Sequence, residues 1–283
     1  MLKTWVFLAA FTLSLLYPYI FTAGVFANDK NNPPIPPLEK GGTGGFEEYG
    51  HLLIKDTGHI ISGPLHWDTK AWGKFSLYTA GIGSILLLDD ELYDGIQRNR
   101  TGTTSDAAEV VQEFGSFPSF GVMGAFYLGG ALLDNYKAKA VAMDAFAASL
   151  VSAGIITTSL KVITGRSRPE DDEGTYKFQP FGGHRSFPSG HTTQAFSLAS
   201  VVAEHYDEWW IDTISYGIAG GVGLARVEQG AHFPSDVAAG ALIGTIVGKA
   251  IVRYNKKFHN NVIIWPSTDI DGAGISLKVG WGY

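Results

Sequence analysis

The chain has no cysteine in its 283 residues. Disulfides, thiolate metal sites and a cysteine nucleophile are therefore excluded. Charged side chains are scarce, at 17%, and the 27 acidic residues outnumber the 21 Lys and Arg, giving a net charge of -6. That balance does not suit a nucleic-acid binder relying on a broad basic surface. No internal repeat is apparent, which argues against a solenoid. What abounds is apolar or small. Aromatics at 13% can build a core, so wholesale disorder is excluded, and 36 glycines imply tight turns or close packing. The length suits one or two domains.

The two ends differ from the middle. Residues 1–27 read as a signal peptide, or failing cleavage an N-terminal anchor: Lys3 gives a positive start, residues 4–27 carry no charge, and Val25-Phe26-Ala27 precedes Asn28. Export would put the remainder in the periplasm or at a membrane, with its active site outside the cytoplasm. Residues 28–46 are Pro- and Gly-rich and read as a linker. The folded domain is expected over 47–257. The tail, 258–283, holds short strands at 262–265 and 275–281 around Asp271-Gly272-Ala273-Gly274, read as a small hairpin packed on the domain.

Between the ends the pattern is helical, with helices expected near 73–89, 104–114, 117–135, 138–163, 190–206, 211–226 and 235–257. Thr104 or Ser105 is the expected cap of the second, and Pro169, Pro188 and Pro234 mark starts or stops. The fold class is all-α. Most apolar runs fall short of a bilayer span, only 115–133 comes near, and the mean hydropathy is +0.08. A compact bundle with a small-residue interior is the expectation, and a multi-span membrane enzyme is the alternative.

Three clusters carry chemistry. In the first, Lys161 and Arg168 stand seven residues apart ahead of Pro169, so a continuing helix would point both one way. Alone, this is a basic helix end. In the second, Phe187-Pro188-Ser189-Gly190-His191, Ser189 can cap the following helix and Gly190 lets backbone approach a ligand. Free N–H groups there suit an anion, beside which His191 can donate a proton. Alone, this is an ordinary Ser cap. In the third, Asp236 follows His232 by four residues across Pro234, a spacing that lets the carboxylate fix one imidazole nitrogen and leave the other nucleophilic. Arg226 adds a bidentate fork. Together the clusters form an oxyanion cradle with a nucleophile and an acid, suited to a pentacoordinate phosphorus.

The order Lys-x6-Arg-Pro, Pro-Ser-Gly-His, Arg-x5-His-x3-Asp resembles the type 2 phosphatidic acid phosphatase (PAP2) superfamily over about residues 70–255. That superfamily also holds class A bacterial acid phosphatases and vanadium haloperoxidases. One departure is Ala225 where Ser usually precedes the arginine of the third motif. The resemblance implies an all-α bundle with the site between helix ends. It implies a metal-independent phosphatase acting on phosphate monoesters, lipid phosphates or diphosphates. Lys161, Arg168, Ser189, Gly190 and Arg226 would hold the phosphoryl group, His232 would form a phosphohistidine, Asp236 would orient it, and His191 would serve as acid and then base. No cofactor or metal is called for. The expected partner is a phosphorylated small molecule or lipid, with membrane association and self-association both open. A vanadium-dependent haloperoxidase and a non-catalytic phosphate-binding protein are the competing readings.

Other features are set aside. The run Glu170-Asp171-Asp172-Glu173 reads as a solvated loop. His184 and Arg185 border the second cluster without a catalytic role. Residues 219–223 are glycine-rich but follow no strand, so close helix packing is the better reading. Asp144, inside an apolar helix, needs a polar partner.

Overall fold

The computed structural model describes residues 44–258, 261–268 and 275–282, with side chains from 49 to 256. The expected signal or anchor, and the linker up to residue 43, lie outside the described residues. The first helix, α1 (Gly44–Ser62), begins within the last three residues of the expected linker. Next come α2 (Thr69–Leu86), α3 (Asp89–Gln97), α4 (Gly102–Gln112), α5 (Pro118–Leu132) and α6 (Tyr136–Thr164). The last three helices are α7 (Gly190–His205), α8 (Trp209–Glu228) and α9 (Pro234–Phe258). The all-α expectation is met, with α1 and α3 as additional helices.

Local chemistry sets the boundaries. Asp68 accepts from the Ala71 N–H at 2.8 Å and starts α2. Three acids, Asp89, Asp90 and Glu91, fill the first turn of α3. The cap of α4 is Thr101 rather than Thr104 or Ser105. Thr104 instead reciprocates from the third position, its hydroxyl 2.9 Å from the Thr101 N–H, so the helix begins earlier than expected. Helix α6 widens into a π-helical segment at Leu150–Thr157 and stops at Gly165, whose φ of 55° lies in the left-handed region.

Glycine fixes the tightest contact, between α7 and α9. A Cβ at Gly240 would lie 2.6 Å from the Ser189 carbonyl oxygen, and one at Gly244 would lie 2.8 Å from the Ser197 nitrogen. Gly248 meets Ser200 in the same row. These residues recur every four positions, so α9 presents one bare stripe to α7. The glycines at 219–223 pack in the same way: a Cβ at Gly223 would come within 2.7 Å of Val237. Around the stripe, Val141, Ala145, Val151, Val201, Ile251 and Val252 form the core. Asp144 finds its polar partners in His205 and Asn255, each at 2.8 Å.

The interior matches a small-residue bundle; the outside is notably apolar. Leu77, Leu128, Leu132 and Trp209 are each more than half exposed. Tyr136–Thr164 and Pro234–Lys256 are long and apolar enough to cross a membrane, although more than half of each is buried. The segment at 115–133 is not among them, because its helix runs only from Pro118 to Leu132. The two long helices instead continue through Lys137, Asp144, Lys161 and Lys249, where a residue count broke them. At the far end, Asn261–Thr268 runs antiparallel to Ile275–Gly282. Neither strand makes a substantial contact with a helix, so the expected packing of a hairpin on the domain finds no support.

Candidate active site

The three clusters converge from separate elements. The chain after α6 returns to the start of α7, and Ser189 N donates to the Asp236 carbonyl at 2.9 Å. The His232 N–H reaches the carbonyl of Arg226 at 3.2 Å, and Glu170 N reaches Gly230 O at 3.2 Å. First, second and third clusters are thus tied by backbone alone. Lys161 lies beside Gly190, its Cε 3.7 Å from where a Cβ would sit.

His232 is 2% exposed. Its Nδ1 lies 3.4 Å from the Ser186 hydroxyl and 3.7 Å from Asp236 Oδ2. The direct His–Asp hydrogen bond expected from the spacing is therefore longer than a bond allows, and Ser186 bridges the two. Ser186 gives its proton to Asp236 Oδ2 at 2.6 Å. Having one proton, it can only accept from Nδ1–H, which leaves a lone pair on Nε2. Burial, and after it the Lys161 and Arg226 charges, push His232 down to about 4 against the pull of Asp236. The ring is neutral at pH 7. His191 is likewise pushed down to about 4, by burial first and then by Arg226 and His232.

Asp236 is held from behind by residues the motifs did not flag. Arg166, with no exposed surface, donates to Asp236 Oδ1 at 2.6 Å and to Asp89 Oδ2 at 2.8 Å. It also reaches the Thr175 carbonyl and lies 4.3 Å from the Phe233 ring centroid. Asp89 in turn accepts from Ser235 N at 2.8 Å and from its hydroxyl. Only position could have singled out Arg166: it stands between Lys161 and Arg168. Nothing in the sequence set Asp89 apart from its neighbour Asp90, and Ser186 looked like loop.

The cations are partly engaged. Lys161 donates to Arg185 O at 2.6 Å. Arg226 Nη1 meets Gln112, and Gln229 at 2.6 Å, while its buried Nε has no partner among the described residues. Arg168 does not continue α6, because the left-handed Gly165 ends that helix. It sits in extended backbone, half-exposed, with Glu170 at 2.8 Å. Ser189 occupies the cap position of α7 without capping it; its hydroxyl accepts from Thr192 at 2.9 Å. The acidic run folds back on the first cluster rather than standing free: Asp171 accepts from Arg168 N, Glu173 from Ser167, and both lie near His184. Among the described residues, no group of three or more His, Asp or Glu could hold a metal ion.

Residues 142–260, which contain all three clusters, match the model of the PAP2 superfamily. Similar proteins include a lipid A 1-phosphatase of Rhizobium etli, 38% identical over 101 residues, covering 34% of this chain and 43% of that one. Lipid phosphate phosphatase 1 of Arabidopsis thaliana is 31% identical over 144 residues, covering 39% and 44%. This chain thus spans less than half the length of either relative. The crystal structure of Aquifex aeolicus LpxE aligns with a TM-score of 0.48 at 28% identity, over 59% of this chain and 96% of that one. The segment that carries every cluster is thus the segment that is similar to the PAP2 superfamily.

Proposed function

We propose that this protein is a metal-independent phosphatase acting on a lipid phosphate or diphosphate at a membrane surface. The observation that carries the reading is a neutral, buried His232 grouped with a buried Arg226 Nε that has no partner among the described residues. A nucleophile lacking a proton and a guanidinium N–H lacking an acceptor together suit a phosphoryl group.

In this reading Nε2 of His232 attacks phosphorus, and the bond to the leaving oxygen breaks. His191 gives that oxygen a proton. Its value, pushed down to about 4 by burial, is raised when a phosphate dianion binds alongside. Lys161, Arg168, Ser189, the Gly190 N–H and Arg226 carry the charge on the remaining oxygens. Asp236, through Ser186, orients the phosphohistidine and offsets its charge. Neutral His191 then takes a proton from water, which attacks phosphorus, releases phosphate and restores His232.

Support for a lipid comes from the exposed apolar surface and from relatives named for lipid A and lipid phosphates. The export reading of residues 1–27 favours a site outside the cytoplasm. The test is a panel of lipid and soluble phosphate esters, with and without detergent. Activity is expected to survive EDTA and to vanish in His232→Ala, and alkaline quenching of turnover is expected to trap an acid-labile, alkali-stable phosphoenzyme. Full activity in that variant would refute the nucleophile.

A further inference from the structure

A groove of about 420 Å³ opens beside the second cluster. Gly190 and His191 line it together with Phe120 of α5 and Phe146, Leu150 and Gly154 of α6. Among the described residues, no Asp, Glu, Lys or Arg lines it. Phe120, Phe146 and Leu150 are each about two-fifths exposed, so the groove opens to the outside along its length. The π-helical widening of α6, Leu150–Thr157, lies along this wall. Such widenings recur at functional sites.

Resting on the phosphatase reading above, we propose that this groove is the subsite for the acyl chain of the lipid phosphate, and that Gly154 sets how long a chain it takes. The continuity is structural, since Gly190 and His191 belong to both the groove and the phosphate cradle. A chain leaving the scissile phosphate past His191 meets walls that are mostly aromatic and aliphatic, with Ser116, Ser149 and Gln194 as uncharged polar residues. A headgroup sugar or second phosphate would find no charged partner there. At Gly154 a Cβ meets nothing nearer than Leu150 Cδ1 at 3.6 Å, so a larger side chain fits and fills the groove.

The experiment compares the full chain with Gly154→Phe on dipalmitoyl and dibutanoyl phosphatidate. The ratio of kcat/KM for the long over the short substrate is expected to fall by about tenfold or more, the equivalent of two buried methylenes, with the short substrate unaffected. An unchanged ratio overturns the proposal. If the unaltered protein hydrolyses neither substrate, phosphatidate is not its substrate, the phosphatase reading is decided by the panel above, and the groove is judged by binding instead. A phosphatidate carrying a diazirine in its acyl chain is then expected to label residues 146–154. Labelling elsewhere, or none, overturns the subsite.

Discussion

The hydroxyl of Ser186 lies 2.6 Å from Asp236 Oδ2, and this pairing decides the state of His232. A serine that spends its one proton on the carboxylate must accept from the imidazole. Replacing Ser186 by Ala removes the bridge and leaves Asp236 and Nδ1 at 3.7 Å. The expected outcome is a drop in kcat of about tenfold or more with KM nearly unchanged, since the hydroxyl touches no substrate. Ser186→Thr should recover part of the loss.

Burial of His232 makes a pH prediction with a definite sign. Its folded value of about 4 lies below the ordinary 6.5, so the unfolded chain binds the proton more readily. Stability is therefore complete above pH 6.5 and drains as the pH falls towards 4. A ring-proton NMR titration of the folded protein should give His232 a midpoint near pH 4. A midpoint between 6 and 7 would contradict the burial argument.

Arg166 pairs with two buried carboxylates at once, Asp89 and Asp236. Arg166→Met should cost about 3–5 kcal/mol, because both anions would be left without their cation. Thermal unfolding in detergent checks this. Arg166→Lys should recover only part, since one ammonium cannot span both carboxylates with planar geometry.

Glu170 holds Arg168 on the open side of the site. An exposed pair of this kind contributes little to stability, about 0–1 kcal/mol. Its effect should fall on binding: Glu170→Gln frees the guanidinium and removes a like charge near an anionic substrate. KM is expected to fall a few-fold, with kcat and melting temperature unchanged.

The cradle was legible in the sequence because the cations, imidazoles and turn-forming Pro and Gly stand in compact strings. Lys161, His191, Arg226 and His232 do come together. The support beneath them was not legible, because Asp89 and Arg166 are 77 residues apart and meet only through the tertiary fold. The long helices were placed, but their apolar lengths were undercounted for a related reason. Lys137, Asp144 and Lys161 interrupt an apolar count, yet Asp144 is paired inside the fold and Lys161 lies at a helix end. The Ser189 cap failed because Thr192 claims its hydroxyl, a competition that spacing does not disclose.

The bare stripe of α9 has a mechanical consequence. Gly240, Gly244 and Gly248 lock that helix lengthwise to α7, and the same two helices carry Asp236 and His191 at their leading ends. Position along the axis is thus a single coordinate shared by folding and chemistry. A bulky residue at 248 would force the pair apart about 18 Å from Asp236, at 1.5 Å per residue, and blunt turnover without touching the cradle.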